Sequence, residues 1–309
     1  MKQIIIGLLL LGTMWQLSAQ STPQYTQFFF NKLFFNPGYA GSKDVLAVNA
    51  HYRHQWEGVD GAPRTGTVTA HMPFFHNRCG IGLSVTNDRI ALLESNSLRL
   101  SYAYRIPIKA NRSTLSIGLQ GVFQQDRFNW NRAQVLEVQD GVIPFGQQQG
   151  GKGDFGLGLY YASDRYYLGV SMPQFFDDGG LKALFQFEDI NQARTYYAMS
   201  GLAIPLSDKF VLKPAILAAF NPNAPLSIDL NLSVLMLNTI WIGATLRTGA
   251  GHDSVDAVFQ YQLNKQWRAG IAYDLTLSEL ATYSQGSLEF IVEYLFDKDM
   301  DRLKNLRFF

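Results

Sequence analysis

The chain of 309 residues carries a single cysteine, Cys79, so an internal disulfide framework and a cysteine-based metal cluster are both excluded. Charge is scarce as well. Asp, Glu, Lys and Arg make up 17% of the residues, against about 25% in an ordinary soluble domain. With a net charge of +1, no bulk attraction for nucleic acid is expected. Long apolar runs are missing too. The longest, Ile4–Trp15, is too short for a membrane helix, which takes roughly 20 apolar residues. It follows Lys2 and precedes the small residues Ser18 and Ala19, the pattern of an export signal, so residues 1–19 are expected to be removed and the mature chain to start near Gln20.

Patterns of catalysis are equally thin. No Ser/His/Asp set stands at a known motif spacing. Gly150–Gly156 is glycine-rich but lacks the Walker spacing and leads into a strand. Asp297, Asp299 and Asp301 lack the Gly and the bidentate Glu of a calcium loop. His51 and His54 differ by three on a strand and point to opposite faces, and His71 stands alone. The chain is therefore not expected to be an enzyme, and no cofactor, metal or small-molecule substrate is expected.

What is present is aromatic side chains and alternation. Phe and Tyr number 22 and 15. Leu98, Leu100, Tyr102, Tyr104 and Ile106 alternate with Arg99, Ser101, Ala103 and Arg105, and Leu226–Val234 repeats the pattern with Ser227, Asp229, Asn231 and Ser233 between. The same period of two recurs along the chain, which predicts about 14 strands. One face is nearly free of charge, and the other carries Arg, Asp, Asn, Gln and Gly. An apolar outer band over a polar interior is the reverse of a soluble barrel and predicts an all-β, transmembrane antiparallel outer-membrane barrel over residues 44–296, closed because an open edge cannot stand in lipid. With both termini periplasmic, short turns such as PFFHNR and ASDR alternate with longer loops at Asn87–Ser97, Gln125–Lys152, Pro173–Ala193 and Thr276–Gly286. Residues 297–309 form a periplasmic tail in this reading.

Residues 20–43 show neither period. This leader concentrates Tyr25, Phe28, Phe29, Phe30, Phe34, Phe35 and Tyr39 before the turn signal Asn36-Pro37-Gly38, too much apolar surface for a free tail. It is expected to be a plug or flap against the periplasmic mouth, or a docking surface, or both.

Three motifs resemble the PorP/SprF-like membrane proteins of the type IX secretion system: QYTQFFFNKLFFNPGYAGS (Gln24–Ser42), YRHQWEGVDGAPRTGTVTAHMPF (Tyr52–Phe74), and the ending Leu306-Arg307-Phe308-Phe309. Lys32 stands where that family often has Pro, and Gly38 where Ala is common. The resemblance implies an outer-membrane partner of the secretion or gliding machinery. The implied partners are type IX components, or a large secreted surface protein (an adhesin) held through its C-terminal domain, besides outer-membrane lipid. Residues expected to dock such a partner are Tyr25, Gln27, Phe28, Asn36, Pro37 and Tyr39 of the leader, with Arg53, Gln55, Trp56, Gly61 and Pro63 of the second motif. A porin or hydrophobic-ligand channel is the alternative, since its lumen would be polar too.

Overall fold

A computed structural model describes residues 23–108, 113–132, 146–176, 194–222, 224–249 and 253–296. The expected signal peptide (1–19), the C-terminal tail with Asp297, Asp299, Asp301 and Leu306–Phe309, and much of the two longest expected loops lie outside the described residues.

The strands in chain order are β1 (Leu46–His54), β2 (Arg64–Phe74), β3 (Cys79–Ile90), β4 (Leu93–Ile108), β5 (Ser113–Asn129), β6 (Gln147–Ala162), β7 (Tyr166–Met172) and β8 (Tyr196–Leu202). They continue with β9 (Ile204–Ser207), β10 (Phe210–Asn221), β11 (Ala224–Met236), β12 (Ile240–Thr248), β13 (Ser254–Gln262), β14 (Trp267–Thr276) and β15 (Ser287–Phe296). β8 and β9 both pair with β10 and are one strand interrupted at Ala203, so the barrel has 14 strands. Each strand pairs antiparallel with its sequence neighbours, and β15 closes on β1 from Leu46↔Phe296 to His54↔Leu288.

Alternation sets the two faces. On β4, Arg99, Ser101 and Arg105 are buried, whereas Leu98, Leu100, Tyr102 and Tyr104 are exposed, Leu100 to 61%. Large exposed apolar residues recur on every long strand, from Val68 on β2 to Phe290 on β15. A continuous belt of that kind suits hydrocarbon and would be untenable in water. No described helix is long and apolar enough to cross a membrane.

Both ends of the barrel wall, Leu46 and Phe296, lie at the end where strands are joined by tight turns. One is Leu237-Asn238, with φ of 52° and 57°, the primed turn that matches strand twist. The opposite, loop end departs from expectation. Asn87–Ser97 is no long loop: β3 runs to Ile90, β4 resumes at Leu93, and Ala91 turns with φ 49°. Likewise β5 continues to Asn129 and β6 begins at Gln147. These hairpins extend as polar ladders, Asn87↔Asn96 and Gln125↔Gly151 among them, where no lipid imposes an apolar face.

Candidate functional site

The lumen is occupied by the chain's own leader. A single helical turn, α1 (Lys32–Phe35), is followed by a 3-10 turn at Pro37–Tyr39. Instead of sitting at one mouth, the leader runs the length of the barrel interior. Tyr25–Gln27 meet groups near the loop ends of β1, β12 and β15, and Gly41–Asp44 meet groups near the turn ends of β2, β4 and β15. The wide lumen of a 14-strand barrel leaves room that side chains from the wall alone do not fill.

At the loop-end side, Glu289 of β15 is the hub. Its carboxylate accepts the backbone N–H groups of Thr26 and Gln27, both at 2.8 Å, and lies 2.8 Å from His51 Nε2 and 3.1 Å from Arg53 Nη1. Arg53 also donates to Thr26 Oγ1 at 2.8 Å and to Asp274 at 2.7 Å. Arg247, held by Asp229, donates to the Tyr25 carbonyl at 3.0 Å, while Gln260 donates to Gln27 Oε1 at 2.9 Å. The Tyr25 hydroxyl contacts Thr67 Oγ1 at 2.5 Å. Burial pushes the phenol pKa of Tyr25 up, so it stays neutral.

In the middle, aromatic packing takes over. Tyr25, Phe28, Leu33, Phe34, Phe35, Tyr39 and Ala40 form one buried cluster with Tyr160, Tyr167, Tyr197, Met199 and Leu217 of the wall. The guanidinium of Arg99 stacks 4.3 Å from the Phe34 ring centre while donating to the Phe34 carbonyl, and Arg268 covers Phe30 at 4.2 Å. Asn36 fixes the turn. Its Oδ1 accepts the Gly38 N–H at 2.8 Å, and its Nδ2 donates to the wall carbonyls of Leu159 and Val170. That turn rests on the paired glycines Gly118 and Gly158, where an added Cβ would strike Gly38 N and Asn36 Oδ1 respectively. Gly118→Val should expel the turn. We expect a barrel that still shows heat-modifiable migration but whose leader is cut by added protease; unchanged protection would refute this close fit.

At the turn-end side, Lys43 and Arg268 share Glu293 at 3.0 and 2.6 Å, Gly41 N–H donates to His71 Nδ1, and Arg105 reaches Asp44. Lys32, buried and stacked on Tyr39 and Tyr167, has its pKa pushed down by burial first and then by Lys43, Lys213 and Arg268. Among the described residues no trio of His, Cys, Asp or Glu is arranged to hold a metal.

The expected docking residues thus divide into two sets. Tyr25, Gln27, Phe28, Asn36, Pro37, Tyr39 and Arg53 are buried in the lumen, where they bind leader to wall. Gln55, Trp56 and Gly61 lie beyond the end of β1, partly or fully exposed, with Pro63 buried beside them. Trp56, two residues past the end of β1, turns with φ 50°, and the segment is braced by Gly61 O accepting from Ala91 N and by Glu57 pairing with Gly286 and Gln285. The anchoring carboxylates Glu289 and Glu293 did not emerge from motif reading. Their signal was their place in LEFIVEYLF, acids on the lumen register of an otherwise apolar strand.

A closed antiparallel barrel with an apolar exterior and a charged interior defines an outer-membrane β-barrel protein. Among solved structures, the hydrocarbon channel TodX in its deltaS2S3 mutant form matches with TM-score 0.50 and 11% identity, over 85% of this chain and 93% of that one. Omp33 of Acinetobacter baumannii matches with TM-score 0.48 and 10% identity, over 82% of this chain and 100% of that one. At these identities the likeness is one of fold alone. No curated protein matches the chain. The model of the type IX secretion system membrane protein PorP/SprF family matches residues 17–294, and the chain belongs to that family.

Proposed function

We propose that this barrel handles protein rather than solute: it exports or anchors a secreted surface protein through that protein's C-terminal domain, or docks the periplasmic ring of the type IX machinery, with both its own termini periplasmic. The observation that carries this reading is the occupied lumen. A leader held by Glu289 and Arg53 at one end and by Lys43 and Glu293 at the other takes up the space along which a solute would diffuse among the described residues. Because the leader's aromatics are buried, a partner would be met by the exposed loop around Gln55, Trp56 and Gly61, or by the turn-end face where the leader enters β1. The leader then acts by shaping the barrel.

The competing reading is a porin or hydrophobic-ligand channel, which the charged lumen wall also suits. A mild-detergent pull-down of the tagged protein from native outer membranes separates the two. Recovery of type IX ring components or of a large surface protein, lost on replacing Gly61-Ala62-Pro63 while barrel migration persists, is the expected result. A partnerless barrel that conducts ions in a planar bilayer would overturn it.

A further inference from the structure

Between the leader and the wall, near the turn ends of β10, β11 and β12, lies a small cavity lined by Phe29, Lys32, Lys213, Asn231, Ser233 and Trp241. About 20 Å³ is open to the centre of a water-sized group, enough for one or two small polar atoms. Lys213 is half-buried on the lumen face of β10.

The charge around it is mostly of one sign. Lys32, Lys43, Lys213 and Arg268 cluster here, with Glu293 beside them. Its carboxylate is already held by Lys43 at 3.0 Å and Arg268 at 2.6 Å. Lys32 is 3% exposed and faces the rings of Tyr39 and Tyr167 at 5.2 and 4.7 Å instead of a carboxylate. On the same wall the buried Trp241 indole N–H has no acceptor among the described residues. A buried ammonium facing only ring faces and a buried indole N–H without an acceptor are both costly. One compact anion would answer both.

We propose that this cavity is an anion site taking a single carboxylate group, received by Lys32, Lys213 and the Trp241 indole N–H. A planar carboxylate can turn its two oxygens to these donors and lay its apolar neighbour against Phe29 and Trp241, which also line the cavity. The carboxylate could belong to a free short-chain acid or to a longer acyl chain.

The test is the indole 15N–1H spectrum of the full protein in detergent micelles, with the Trp241 peak assigned by Trp241→Phe. Titration with sodium acetate should move that peak saturably, and sodium chloride at equal concentration should not. Lys32→Met should weaken the acetate response about tenfold or more, the loss of one charge-assisted hydrogen bond. Lys213→Met carries the same expectation should Lys32→Met fail to assemble. Octanoate binding tighter than acetate would assign the site to a longer acyl chain, and equal affinity to a free short-chain acid. No saturable shift, or a chloride response equal to that of acetate, overturns the proposal.

Discussion

Removing Gln24–Ser42 is expected to turn a closed barrel into a conducting one. The wall left behind carries buried Arg53, Arg99, Arg247, Asp229, Asp256, Asp274, Glu289 and Glu293, a charged lining that fills with water once the aromatic leader is gone. Barrels of 8 strands are filled by their own side chains and those of 16–18 hold aqueous channels, so an emptied 14-strand lumen should pass roughly ten times the current of the intact protein or more. Planar-bilayer recording of both proteins reads this directly, with heat-modifiable migration confirming that each barrel is folded. If the shortened chain proves unable to fold, Arg53→Met combined with Glu289→Gln loosens the same end of the leader and should give intermittent openings. A folded, leaderless barrel that carries no current would show that the wall closes the lumen by itself, and would remove the main support for a protein-handling role.

Glu289→Ala should be the most damaging single substitution. This carboxylate is fully buried and satisfies Thr26 N–H, Gln27 N–H and Arg53 while facing His51. Deleting it strands two backbone donors and part of a buried guanidinium. Breaking a buried charge network from one side costs on the order of 3–5 kcal/mol. Urea unfolding of the protein in lipid vesicles should show a correspondingly lowered midpoint. Glu289→Gln, which keeps an acceptor oxygen, should lose less. A Glu289→Ala midpoint equal to that of the natural protein would mean that the leader is not held there.

The strands could be read in the sequence because lipid enforces the pattern. Leu98–Ile106 and Leu226–Val234 must present apolar side chains to hydrocarbon at every second position, and their outward faces do so. Beyond the bilayer that constraint ends. Asn87-Asp88-Arg89 and Gln147–Lys152 therefore look like loop in the sequence although they pair as strand, their stability coming from ladder hydrogen bonds and contacts such as Asn87 to Asn96 and Asn87 to Glu94. The leader's aromatics announced burial without saying where, because a segment with no period points to no partner surface. Tyr160, Tyr167 and Tyr197, which receive those aromatics, sit on the lumen register among residues read simply as a polar face. Arg53 stood out through its motif, yet its role as a bridge from Thr26 to Asp274 depends on partners 27 and 221 positions away in sequence. No local pattern encodes such a contact.

The seam between β1 and β15 holds both ends of the leader, with His51 and Arg53 on one side and Glu289 and Glu293 on the other. Those partners belong to the first and last strands of the wall, which meet only when the ring is completed. The leader precedes β1 in the chain and can wait beside it, but its backbone N–H groups find their acceptor only as β15 arrives. Barrel completion and leader binding are thereby one cooperative event. An assembling chain with the leader misplaced would close its seam with Glu289 lacking the Thr26 and Gln27 N–H groups and Glu293 lacking Lys43, leaving both carboxylates short of donors. The same segment that fills the finished barrel thus also completes the seam that closes it.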